Sequence, residues 1–226
     1  MMSNFLASHR EELIRRCTAK VAMRPLRAAT ELQLRNGIPL FLAQLQRTLE
    51  AEERHETTVS LMISGPAGGE AAGASEMGTS ATAHGRELLV LGYSVSQVVH
   101  DYGDLCQAIT DLAFEREAPF AVHEFRTLNR CLDNSIASAV EAFSAQRDLS
   151  VAAQQQAQAS ERLEALLHSL RSSLATATYA VAALELGNLS VSGSTGSILK
   201  KSLAAMAQRV GGPTLQEIRN ASDPTA

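Results

Sequence analysis

Apolar residues recur along most of this chain at intervals of three and four, the spacing of one face of a helix. Residues 4–22 predict an amphipathic helix with Leu6, Leu13, Ile14 and Cys17 on one side and Arg10, Arg15 and Arg16 on another, stopped by Pro25. Thr30 then caps a second helix, with Glu31 favouring its first turn and Ile38, Phe41, Leu42, Leu45 and Leu49 among its apolar positions. Gly37 and Pro39 interrupt that run and predict a kink. The glycine-rich stretch at about 64–80 has too little side chain to offset the entropy of ordering, and it reads as a mobile surface loop. It lacks the Gly-Lys-Ser/Thr ending of a phosphate-cradling loop. Helix resumes around Ala81, ends near Leu91 and breaks at Gly92. Ser94 caps the next helix, whose wide apolar face runs from Val95, Val98 and Val99 through Tyr102, Leu105 and Cys106 to Ile109 and Leu112. Pro119 marks another start, and a long helix runs from about residue 120 to Arg147.

Residues 150–160 contain neither glycine nor proline, so the long helix can continue through them as a stiff connector. The expected division is a helical domain at 1–150, a connector at 151–161, a hairpin at 162–212 and a tail at 213–226. In the hairpin, Leu163, Leu167, Leu170, Leu174, Ala177, Val181 and Leu184 follow one another at alternating steps of four and three. That is an apolar seam sustained over several heptads. Gly187-Asn188 ends that helix, and a glycine/serine turn at Ser190–Gly196 leads to a second seam at Leu199, Leu203, Met206 and Val210, closed by Gly211-Gly212-Pro213. Two helices cannot enclose a core alone, so a second copy is expected to complete a four-helix bundle. Packing of the hairpin against the N-terminal helices is the alternative. The fold class expected is all-α: a helical bundle joined by a long helix to a dimerising two-helix hairpin.

Composition agrees with helix and narrows the partners. Tryptophan is absent, aromatics are 4% and prolines number six. A formal net charge of −4 argues against nucleic acid or an anionic membrane as partner. No apolar run reaches the ~18 residues that cross a bilayer, and the first ten residues do not resemble a secretion signal, so a cytoplasmic location is expected. Cys17, Cys106 and Cys131 are odd in number and far apart, which fits three reduced thiols better than a zinc site or a disulfide framework.

Among six histidines, His168 has the most informative surroundings. With Arg171 and Ser172 it lies off the seam on one exposed helix face. An exposed neutral imidazole can take a phosphoryl group from one protein and yield it to another. His100, Asp101 and Asp104 cluster after Gly92 without the ligand spacing of a metal or haem site, and His84 and His123 stand elsewhere. Tyr93, Tyr102 and Phe125 read as core or as the lining of a small-molecule pocket. Arg10, Arg15, Arg16, Lys20, Arg24 and Arg27 read as a solvated helix face or a docking surface.

The segment His168-Ser169-Leu170-Arg171-Ser172 resembles the His-Glu-Leu-Arg-Asn segment in the dimerisation and phosphoacceptor domain of sensor histidine kinases. Residues 182–203, with their glycine/serine/threonine turn, are similar to one subgroup of soluble bacterial kinases. Asn36–Leu42, His84-Gly85, Gly92–Gly103 and Arg130–Ile136 resemble the sensory domain of that subgroup, which is akin to the N-terminal domain of stressosome co-antagonist proteins.

The resemblance implies a sensory domain, a homodimer, and His168 as phosphoacceptor for two-component signalling through a response regulator's receiver domain. Ser169 stands where the family carries an acid that orients the ring. Ser172 replaces the usual Asn or Thr, and Ser173 the frequent proline. No Asp-x-Gly-x-Gly nucleotide loop is present, so ATP and magnesium would enter only with a separate kinase catalytic domain, and no cofactor is expected in this chain itself. The chain is then the front part of a longer kinase or a naturally short acceptor. Two other readings stay open: a non-enzymatic dimeric adaptor, and a histidine phosphotransfer protein. The latter usually has Lys-Gly where Arg171-Ser172 stand.

Overall fold

A computed structural model describes residues 1–22, 37–68, 75–187 and 190–211 of the chain. It is all-α. The described residues form eight helices: α1 (Met2–Ser8), α2 (Arg10–Ala22), α3 (Ile38–Glu53), α4 (Thr57–Ser64), α5 (Glu76–Val90), α6 (Val95–Glu115), α7 (Val122–Gly187) and α8 (Ser194–Arg209). They divide into two compact units, Met1–Ser150 and Val151–Ala226. Pro25, Thr30, Glu31, Asn188, Gly212, Pro213 and the tail lie outside the described residues, as does the 69–74 part of the glycine-rich stretch.

Helix ends depart from the expected ones where local hydrogen bonding overrides the apolar pattern. The single helix expected over 4–22 is two, separated at His9, whose backbone leaves the helical region at φ −117°. The His9 ring stacks on Phe5 with centroids 4.5 Å apart, and its Nδ1 lies 3.0 Å from the Phe5 carbonyl oxygen. The break lets Met2, Phe5 and Leu6 enter the core beside Leu13 and Cys17. Pro39 does not kink a helix. It lies in the first turn of α3, where its missing N–H is not needed.

The loop expected to reach residue 80 is already helical at Glu76. Ser75 caps that end by accepting from the Gly78 N–H at 3.0 Å, and Arg47 pairs with Glu76 at 2.6 Å. Met77 is then fully buried. Helix α4 escaped the apolar pattern because its buried face is Ser60, Ile63 and Ser64, two serines to one aliphatic. Ser94 does cap α6, in a capping box. Its hydroxyl accepts from the Gln97 N–H at 3.3 Å, and the Gln97 side chain accepts from the Ser94 N–H at 2.9 Å. Gly92 precedes it with φ +77°, a conformation that favours glycine.

In the first unit, α3 packs against α1, α2, α4 and α5, while α2 packs on α6. Leu45, Leu105, Ile109, Leu112 and Leu128 are fully buried in one continuous cluster. Burial of each stabilises the fold by roughly 1.5–3 kcal/mol. Helices α5 and α7 approach closely at Gly85, where a Cβ would stand 2.9 Å from the Ala139 carbonyl carbon and closer still to its oxygen. In the second unit, Ala177, Ala180 and Gly196 are buried, and the larger apolar side chains are half-buried or exposed. Arg209 near the end of α8 reaches the Ser173 hydroxyl on α7 at 3.3 Å.

Candidate functional site

His168, Arg171 and Ser172 are exposed on α7, and Ser169 is half-buried. Helical spacing places the three exposed groups on one face. Among the described residues, no hydrogen bond or ion pair fixes the His168 ring. Beside this face the apolar seam is largely uncovered in a single chain. Leu163 is 56% exposed and Leu174 57%, whereas Ala177 is 5% exposed. On α8 the second seam has Leu199 and Met206 half-buried, with Leu203 and Val210 exposed. The seam therefore keeps apolar area available to a further helix pair, and burying it would be favourable at about 25 cal/mol per Å². Gly193 caps α8 through its backbone, and the Ser190–Ser192 turn before it is closed by a Gly193 N–H to Ser190 carbonyl bond of 3.0 Å.

No protein-family model, curated protein or solved structure matches this chain.

The other residues singled out in the sequence take varied places. Among the described residues, no group of three His, Cys, Asp or Glu side chains is placed to hold a metal ion. His100 is exposed, and Asp101 and Asp104 are half-buried, each with interactions of its own. His84 lines a very small cavity with Gly37, Phe41 and Tyr102. Burial holds its imidazole below the ordinary histidine pKa, and its Nδ1 is buried without a hydrogen-bond partner. Tyr93, Tyr102 and Phe125 do not share a pocket. Tyr102 is buried edge-on to Phe41, with centroids 6.1 Å apart, and Phe125 packs against Phe120 at 5.7 Å.

Of the basic set on α2, Arg10 and Arg15 are exposed, and Arg16 and Lys20 are half-buried. Arg16 bridges Glu12 and Glu115, at 2.7 and 2.6 Å, tying α2 to α6. Hydrogen bonds from Arg15 and Arg16 lower the Glu12 pKa to about 2. Lys20 reaches Gln107 at 3.2 Å, and Arg10 donates to the Pro39 carbonyl at 2.9 Å. Arg24 and Arg27 lie outside the described residues. Cys17 and Cys131 are buried free thiols whose pKa burial raises to about 12, and Cys106 is a half-buried one. None is an activated nucleophile.

A polar cluster between α3, α4 and α7 was not foreseen. Thr127 donates to Glu52 Oε2, Arg130 donates to Oε1 at 2.6 Å, and Ser60 donates to the same oxygen at 2.9 Å. Burial opposes ionisation of Glu52, but these three hydrogen bonds together outweigh it and hold the carboxyl below the ordinary range. One turn further along α7, Asn134 donates to the Ser64 and Pro66 carbonyls at 2.8 and 3.0 Å. In the sequence, the trace of this cluster is the recurrence of Thr127, Arg130 and Asn134 at steps of three and four, a polar period inside an otherwise apolar helix pattern.

Proposed function

We propose that this protein belongs to two-component signal transduction, with His168 as a phosphoacceptor that passes its phosphoryl group to the aspartate of a response regulator's receiver domain. The observation that carries this reading is the exposed His168 beside an uncovered apolar seam, with Arg171 and Ser172 on the same face of α7. Exposure supplies the access that transfer between two proteins requires. The seam supports a homodimer, in which a second hairpin covers Leu163, Leu167 and Leu174. Arg171 is suited to the charge of an arriving phosphoryl group. The phosphoryl donor is a kinase catalytic domain bearing ATP and magnesium.

A second reading is favoured by one specific observation. No carboxylate stands at position 169, and no hydrogen bond among the described residues orients the His168 ring. On this reading the hairpin is a dimeric adaptor that docks a partner and carries no phosphate. Incubation with an active kinase lobe and labelled ATP separates the two. Phosphotransfer predicts label on the wild-type chain and none on His168→Ala. Equal labelling of both, or of neither, leaves the adaptor. No helix among the described residues is long and apolar enough to cross a membrane.

A further inference from the structure

The face of α7 that carries His123, Arg126, Arg130 and Asp133 lines a cleft of about 450 Å³ within the first unit, with Glu52 in its wall. That volume suits a small organic molecule. The charged groups around it are unequally engaged. Glu52 is satisfied by three donors, from Thr127, Arg130 and Ser60. Arg130 spends its Nη2 on Glu52 and Ser60, while no hydrogen bond among the described residues uses its Nη1. Arg126 and Asp133 are both exposed, and neither makes an ion pair among the described residues.

Arg126 and Asp133 are two turns apart, about 10 Å along the helix axis. At that separation they do not neutralise each other. Both line the one cleft, so a ligand with one charge of each sign that enters it meets a partner for each. The lining arginines and carboxylates balance in formal charge, which disfavours a dianion such as phosphate and suits a molecule of no net charge. A planar guanidinium is also the preferred partner of a carboxylate.

We propose that this cleft binds a small zwitterion of the amino-acid class, its carboxylate held by Arg126 and Arg130 and its ammonium by Asp133. The proposal stands independently of phosphotransfer at His168. Calorimetric titration of the full chain with each standard amino acid tests it, with propionate and inorganic phosphate as probes bearing charge of one sign. At least one amino acid is expected to bind, and propionate and phosphate to bind at least about tenfold more weakly. Arg126→Gln and Asp133→Asn are each expected to weaken that amino acid by about tenfold or more, the loss of one charge-assisted contact. Both side chains are exposed, so the variants should keep the wild-type circular dichroism. Absence of binding by every amino acid, phosphate or propionate binding as tightly, or unchanged affinity in both variants would overturn the proposal.

Discussion

Replacing Gly85 by alanine places a methyl group where α5 crosses α7. Its carbon would lie 2.9 Å from both the Cα and the carbonyl carbon of Ala139 and nearer still to the oxygen, against backbone that cannot rotate away. Ordinary carbon contacts begin near 3.5 Å, so the helices must separate by roughly 0.5–1 Å. Separation loosens the packing of Ala81 and Leu88 on α5 and of Ala139 and Phe143 on α7, all buried. Overpacking of this kind costs about 1–3 kcal/mol, while alanine in place of glycine inside a helix returns up to ~1 kcal/mol. The net expectation is a loss of about 1–2 kcal/mol, or roughly 2–8 °C in Tm for a chain of this size. Gly103 provides the control, because it lies inside α6 and a Cβ there meets nothing within 4 Å. Gly103→Ala should therefore stabilise by about 0.5–1 kcal/mol. Thermal and urea unfolding followed by circular dichroism measure both. A Gly85→Ala protein as stable as wild type would refute the close crossing and the reasoning drawn from it.

Acid stability should depend on Glu52. Its folded pKa lies below the ordinary carboxylate value of 4.5, so its ionised form stabilises the fold above that value, and the contribution is lost as pH falls through the folded pKa. Glu52→Gln should cost roughly 1–2 kcal/mol at neutral pH and flatten the fall in stability below about pH 4.5, as read by urea midpoints across pH. An unchanged acid slope would contradict the role given to Thr127, Arg130 and Ser60. His84 acts with the same sign for a different reason. Burial lowers its pKa from 6.5, so the fold is weakened as pH drops below that value, and His84→Leu should reduce this dependence in the same assay. At the seam, Leu170→Asp should convert a dimer to a monomer in sedimentation, because burying a charge without a partner is costly. A monomeric wild type would remove the proposed bundle.

Much of the helical architecture was legible because it is written in side chains with strong local preferences. Ser94 and Gln97 announce the start of α6, and the 3.6-residue period of Val98, Tyr102, Leu105 and Ile109 announces its buried face. Helix α4 was not legible, since it buries Ser60 and Ser64 through hydrogen bonds that include Arg130 and Asn134 on α7, each 70 residues away in sequence. The start of α5 was hidden by glycines and small residues, whose cost Ser75 capping and the Arg47–Glu76 pair offset. The break at His9 likewise depends on where Phe5 finds its neighbours.

The candidate site divides along the same line. The offset of His168 from the leucine seam is a property of one helix and can be counted along the chain. The cleft beside Glu52 needs side chains from distant segments, so periodicity shows only the α7 half of it.

The site at which phosphate attaches tests phosphotransfer most directly. Peptide mapping of the chain after labelling by a kinase lobe, under conditions that preserve phosphohistidine, should find the label on the peptide containing His168 and lose it on addition of a receiver domain. Label confined to another residue, or label on His168 that no receiver domain removes, would contradict phosphotransfer and leave the hairpin as a docking element.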